Sequence, residues 1–380
     1  MLKMLKMLKM LKMLTMLALL RVVSMTACGS GASRWVLSTD RICSRRIFDV
    51  MMQDFLDLQY PLTPVVHRPS FRRDLAAARE TTDATFFSLL VSMCAALVAN
   101  VPSTFYKYKY KACTAPDDNF PYQTRAEMVM HCHDVVMQLR RPDYADEATH
   151  DKWSIAYLLG VAHGNLHHLA RSMMLSVEAD YHLRQRLQYD EYIFEDHILA
   201  KGHNQQTSLA TGLKVLTHLY DLALETRELG RAMQVSPDSA DKQRLLELLK
   251  AGFEKQKHAL DNVPREFDEW TIGGMQRQQH EPDPVLARQF EIMRANIRVT
   301  HLWLQSLIFE DIVSLSMEGI VSPETRAPGR PEPSTSLRSL WDDRENICRQ
   351  LLHVLYNISH DNLAPNGTSL VSYLPMSPVF

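Results

Sequence analysis

The residues able to do chemistry in this 380-residue chain are histidine pairs, one acidic pair and scattered cysteines. His163 and His167 lie in the run HGNLHH that ends at His168. They are four apart, which puts both on one face of a helix, as a zinc pair requires. A metalloprotease helix also needs Glu directly after the first His, as general base. Gly164 stands there, and no third ligand follows. The expectation for these histidines is a packing or surface role. His131, Cys132 and His133 are consecutive, so a helix points them in different directions and they make a poor chelate. Asp117-Asp118 has the form of a magnesium-binding pair, but it stands in a proline-flanked loop with no second acidic motif. A solvated loop is the better reading.

No local pattern nominates a nucleophile. There is no G-x-S-x-G, no P-loop and no G-x-G-x-x-G. Cys28, Cys43, Cys94, Cys113, Cys132 and Cys348 are scattered, with no C-x-x-C pair to suggest a zinc or redox site. Cys94 sits in an apolar run and should be a small buried hydrophobe. The set reads as reduced thiols of an intracellular protein. The sequons at Asn357 and Asn366 are then chance matches. Phe290, Met293, Trp303 and Phe309 could line an apolar pocket in a helical enzyme, but residues at that spacing are more often core.

The chain is 46% hydrophobic and 23% charged, with a formal net charge of -2. That suits a globular protein with a sizeable core. It lacks the basic excess by which a chain grips DNA through phosphate neutralisation. No run of 18 apolar residues occurs, so a membrane span is not expected.

The elements that position these residues are helical. Arg45–Leu58 carries apolar residues at helical spacing, and Phe86–Ala99 is apolar nearly all round, as a buried central helix would be. Ala126–Leu139 and Lys152–Leu175 read as amphipathic helices, as does Gln206–Met233. Asp241–Leu260 follows a break at Pro237, Val285–Met317 is long and apolar-rich, and Leu337–Ser359 is the last clear helix. Tyr106–Lys111, YKYKYK, alternates and could be a short strand; a solvated exit from the preceding helix, with its tyrosines partly packed, is preferred. Loops are expected at Ala115–Pro121, Gly273–Pro284 and the proline-rich Ser322–Ser336. Apart from MLK no internal repeat is visible, which disfavours a solenoid.

Tyr60–Phe71, YPLTPVVHRPSF, has three prolines that fix φ and two stiff β-branched valines. Alone, it is a stiff bend that sets how one helix docks on the next. It closely resembles the opening of the middle homology domain of fungal zinc-cluster transcription factors. Tyr60, Pro61, Pro64, His67, Arg68, Pro69 and Phe71 carry that likeness. Leu89–Leu97, Leu158–Leu166, Leu209–Tyr220, Ala259–Trp270, Val299–Leu307 and Trp341–Val371 resemble later helices of that family in the family's order, the last with Trp341 and an Asn366-Gly367 turn, a pair that tolerates positive φ. The resemblance implies an all-α, multi-helix regulatory domain, active in the nucleus in regulation of transcription. It also implies homo- or hetero-oligomeric partners among transcription factors or co-regulators.

Three features depart from the family. The six-cysteine cluster that holds two zinc ions and reads DNA is absent, so this chain has no cofactor of its own and DNA contact needs a missing domain or a partner. The family's basic-aromatic RRRhFW helix is also absent: Glu178–Tyr181 runs directly into Arg184–Asp196. A deletion near Asp180 is inferred, which would lower stability by removing packing. The family's final helix is replaced by SYLPMSPVF.

At the other end, MLKMLKMLKMLKM precedes LTMLALLRVV. A secretory signal, an organellar presequence and a translated short repeat or mispredicted start compete, and the last is preferred, because a three-residue period suits no helix or strand face. The expected organisation is a low-complexity or mispredicted stretch over 1–44 and a helical regulatory domain over 45–320. A linker over 321–337, the same domain's last helix and turn over 338–371, and an atypical tail over 372–380 follow. The alternative functions are a helical adaptor or, less favoured, a helical enzyme; no catalytic, cofactor or metal residues are nominated.

Overall fold

The computed structural model describes residues 37–144, 148–184, 209–233, 239–264, 267, 284–318 and 334–366. The MLK repeat, the Pro237 break, residues 273–283, most of the proline-rich 322–336 stretch, Gly367 and the tail lie outside them. Among the described residues the chain is all-α, with twelve α-helices, three short 3-10 turns and one π-helical turn. It divides into two compact units, Met1–Tyr60 with Pro64–Asp196, and Pro61–Thr63 with His197–Phe380.

The first unit is organised by α3 (Ala84–Asn100), whose residues from Phe86 to Asn100 are all buried. Seventeen residues without a charge leave no face for water, so neighbouring helices must cover every side. Before it come α1 (Arg45–Asp54), which widens into a π-helical turn over Phe55–Gln59, and α2 (Arg68–Ala76). Asp83 caps α3 by accepting from the amides of Thr85 at 2.9 Å and Phe86 at 3.0 Å, and Arg79 holds that carboxylate at 2.8 Å. Ser88 and Ser92 return their hydroxyls to carbonyls one turn back, so the buried helix carries them at little cost.

Tyr106–Lys111 is neither strand nor exit from α3. It lies inside a separate helix, α4 (Pro102–Thr114), whose axis is bent 111° from that of α3. Pro102 starts α4, where its missing N–H is no loss, and disfavours helical backbone at the residue before it. The Tyr-Lys alternation then resolves at helical spacing: Tyr108 is buried, while Tyr106 and Tyr110 face solvent. Tyr108 donates to Asp54 at 2.7 Å, and Lys107 pairs with the same carboxylate.

Next come α5 (Arg125–Leu139), α6 (His150–Asn165) and α7 (Leu169–Arg184), with α5 and α6 packed on α3 and α7 packed on α6. The single helix expected over Lys152–Leu175 is therefore two. His167 takes a left-handed conformation, φ 60°. The His168 amide reaches back to the His163 carbonyl at 2.9 Å, and the His167 amide to the Gly164 carbonyl at 3.0 Å. This is the Schellman arrangement that ends helices, with His in the place glycine usually takes. Helix α7 then runs through Asp180 without a break as far as Arg184.

The second unit packs α8 (Leu209–Met233), α9 (Ser239–Lys257) and the 35-residue α10 (Pro284–Glu318) against one another. Helix α11 (Ser334–Asn357) lies on α10, and α12 (His360–Leu363) leads into a 3-10 turn over Ala364–Asn366. Leu219, Met293, Ile297 and Ile308 are fully buried in this core. Close approach depends on two glycines. A Cβ on Gly212 would sit 2.5 Å from Met293 Cγ, and one on Gly252 would sit 2.3 Å from Thr226 Cγ2. No single helix among the described residues is long and apolar enough to cross a membrane.

Candidate functional site

The Tyr60–Phe71 segment joins α1 to α2 as a bend. Tyr60 is buried, and the Arg68 guanidinium lies over its ring, 3.9 Å from the centroid. Pro61 lies in the turn, Pro64 follows it in irregular backbone, and Pro69 sits in the first turn of α2 where a missing N–H is tolerated. The Val65 carbonyl accepts the Ser154 hydroxyl of α6 at 3.2 Å, and Phe71 packs 6.0 Å from the Phe86 ring of α3. His67 Nδ1 and the Ser70 hydroxyl are 2.8 Å apart. Phe71 sets α2 against α3, and Val65 ties the segment itself to α6.

The histidines build a buried polar arrangement in the first unit. His163, on the last turn of α6, is fully buried. Its Nε2 lies 3.1 Å from Nδ1 of His133 on α5, and its Nδ1 lies 3.1 Å from Nδ1 of His168 at the start of α7. The three rings form a hydrogen-bonded chain through the junction of three helices. His167, the partner that spacing offered for zinc, points elsewhere and is exposed, because the helix ends before it. His131 reaches the Arg41 carbonyl at 2.7 Å, and Cys132 is buried.

A chain differs from a chelate. The two nitrogens of His163 are on opposite edges of its ring, so its neighbours flank it and do not converge on one point. No group of three or more His, Cys, Asp or Glu among the described residues is arranged to hold a metal ion. Burial, with Arg171 and Arg140 nearby, pushes His133 down to about 4, while neighbouring Asp134 opposes this. Burial and the facing His133 and His168 rings push His163 down to about 4. Both are neutral near pH 7, and both ring nitrogens of His163 are engaged. Ser172 adds a tie across the same junction by donating to the Gly160 carbonyl at 2.8 Å, and Arg140, just past the end of α5, pairs with Glu178 on α7 at 2.8 Å.

The second unit holds its buried imidazole differently. His301 on α10 donates from Nε2 to the Gln256 carbonyl at the end of α9, and the Gln305 amide lies 3.0 Å from the same nitrogen. Burial pushes His301 down to about 4, although the carbonyl favours its charged form. Phe290, Met293 and Phe309 are core residues of this unit and Trp303 packs partly buried against them, so the core accounts for the set that could have lined a pocket. Phe309 pairs with Phe253, Phe290 with Phe267, and Trp303 with Tyr220.

Asp118 departs from the solvated-loop reading. It accepts from Ser44 at 2.9 Å and pairs with Arg46, tying the loop to the start of α1, while Asp117 is exposed. Cys94 is buried as expected, and burial pushes the thiols of Cys43, to about 12, and Cys94 upward, which makes them poor nucleophiles. Trp341 is 66% exposed on α11. Asn366 is buried in the 3-10 turn and accepts from Asn296 on α10 at 2.8 Å. Gly367 lies outside the described residues.

Sequence reasoning saw both histidine runs and joined neither to the other, because His133 and His163 are thirty residues apart and meet only through helix packing. The one signal for it was a histidine facing the core within an apolar run. Comparison of the chain with family models, with curated proteins and with solved structures finds no match.

Proposed function

We propose that this chain is the regulatory domain of a fungal-type zinc-cluster transcription factor and acts in the nucleus in regulation of DNA-templated transcription. The observation that carries the reading is the ordered series that begins with Tyr60–Phe71 and ends near Trp341 and Asn366. Its support from the architecture is coarser: the described residues are all helical, the fold class the resemblance implies. This sequence carries no six-cysteine cluster, so sequence-specific DNA contact and the two zinc ions belong to a separate domain or partner. The near-neutral charge agrees with that division of labour.

A helical adaptor without a transcriptional role is the second reading. Outward-facing apolar side chains favour it: Leu169, Met173 and Val177 on α7, and Trp341, Leu352 and Tyr356 on α11, are exposed. Both readings use partners, so localisation and DNA binding separate them. The tagged full chain, expressed in a fungal host, is expected to accumulate in the nucleus. The purified chain is expected to show only weak, salt-sensitive binding when offered a random duplex library. Cytoplasmic retention would favour the adaptor, and tight sequence-specific binding by the chain alone would contradict the assignment of DNA reading to another domain.

A further inference from the structure

We infer that His133, His163 and His168 form a proton-operated latch, which holds the start of α7 on α5 and α6 at neutral pH and releases it in acid. The inference rests first on counting protons. Each of the two N···N contacts, both 3.1 Å, needs one N–H and one bare nitrogen. Four ring nitrogens face one another across the two contacts, so the facing positions hold exactly one proton per contact, two in all. The outer Nε2 atoms of His133 and His168 hold one more each. The closed chain therefore carries at most four ring protons, one more than three neutral imidazoles have. The first added proton leaves both contacts intact, whichever ring carries the charge. Any second added proton sets two N–H groups face to face and breaks a link.

The surroundings oppose even the first proton. From α5, Asp134 acts on His133, as does Arg140 just past its end; from α7, Arg171 acts on both His133 and His163. Packed against α5 and α6, α3 brings Cys94 as its only titratable group and no counter-charge. Only Asp134 favours the charged form, and it is exposed. Once α7 lifts away, His133 and His163 reach water and titrate near the ordinary histidine value of about 6.5.

The placement gives the break a defined consequence. His168 immediately precedes α7, and its carbonyl accepts the Ser172 amide at 3.0 Å, so it fixes where that helix starts. Gly164 lets α7 lie close: a Cβ there would sit 3.2 Å from Ser172 Oγ. Among the described residues α7 is also tied by the Ser172–Gly160 bond, the Arg140–Glu178 pair, an Arg171 contact with Met130 on α5, and the buried Leu175 and Ala179. His182 on α7, also buried and pushed down, adds to the acid response in the same direction.

The sign follows from linkage. Two histidines protonate more readily open than closed, so opening takes up about two protons between the closed value of about 4 and the open value of about 6.5. Amide hydrogen exchange of the full chain, corrected for intrinsic pH dependence, is the measurement. The opening constant of α7 is expected to rise about 100-fold per pH unit between pH 6 and 4.5. In His133→Gln, which keeps a hydrogen-bonding group but does not titrate, the rise is expected to fall to about 10-fold per unit. An α7 opening constant independent of pH, or a slope unchanged by His133→Gln, overturns the latch. If that variant does not fold, histidine Cε1–H spectra of the wild-type chain decide. His133 and His163 are expected to shift only in the step that loses α7 protection; separate shifts near pH 6.5 with protection intact overturn it.

Discussion

The two units bury their histidines in opposite ways. In the first, His163 depends on two other side chains, His133 and His168, each from a different stretch of chain. In the second, His301 depends on a backbone carbonyl that the end of α9 supplies. A carbonyl accepts whatever the pH, whereas an imidazole partner can itself gain a proton and stop accepting. The difference teaches that a buried polar group is only as durable as its partner. The glycines differ too. Gly160 leaves ordinary contact distance to Leu175 Cβ at 3.4 Å, while Gly252 leaves no room beside Thr226.

The largest test of this contrast is in the cores. Phe87 is wholly buried on α3, and Phe87→Ala is expected to cost the first unit about 3–5 kcal/mol in urea unfolding followed by exchange at α3. Met293→Ala on α10 is expected to cost the second unit about 2–5 kcal/mol. A loss well under 1 kcal/mol at either site would mean that helix is not the organising one.

Next comes pH. His133 and His163 are pushed down, so the unfolded state binds more protons, and stability present above about pH 6.5 is lost as pH falls toward 4. The first unit is expected to lose about 100-fold in its folding constant per pH unit across the middle of that window, with His182 adding in the same sense. His301 gives the second unit about 10-fold per unit. Equal slopes for the two units, from unit-resolved urea titrations, would erase the contrast.

Smaller effects sharpen it. Gly252→Ala is expected to destabilise the second unit by about 1–3 kcal/mol, because the Thr226 side chain is branched and its hydroxyl is tied to the Leu222 carbonyl at 2.8 Å. Gly160→Ala is expected to be neutral or stabilising by up to about 1 kcal/mol, since alanine favours helix and the contact is ordinary. Thermal melts of both variants check the pair. His167→Gly is expected to stabilise the first unit by about 1 kcal/mol by removing the side chain from a left-handed backbone position.

How much of this was legible depended on range. The buried α3 could be read because an uncharged apolar run allows little else. The long helices of the second unit followed from periodicity, with ends within a few residues. The bend at Tyr60–Phe71 was visible from its prolines. The α6–α7 break was not, because Lys152–Leu175 has no proline, keeps apolar spacing, and ends its first helix on a histidine where glycine is usual. Tyr106–Lys111 misled by alternating, when Pro102 already marked a helix start. Asp118 and Asn366 sat in loop and turn chemistry, and only tertiary packing turned them into ties. The histidine chain and the Gly252–Thr226 approach depend on residues far apart in sequence, which local pattern does not reach.

The most direct test of the functional reading is a tethered reporter. The full chain is fused to an unrelated DNA-binding domain and an unrelated activation region, beside a fusion lacking the chain, in a fungal nucleus. The account predicts that the chain changes reporter output in either direction at equal protein level, and that Phe87→Ala removes the change by unfolding the first unit. Output identical with and without the folded chain, across growth conditions, would contradict a role in transcription.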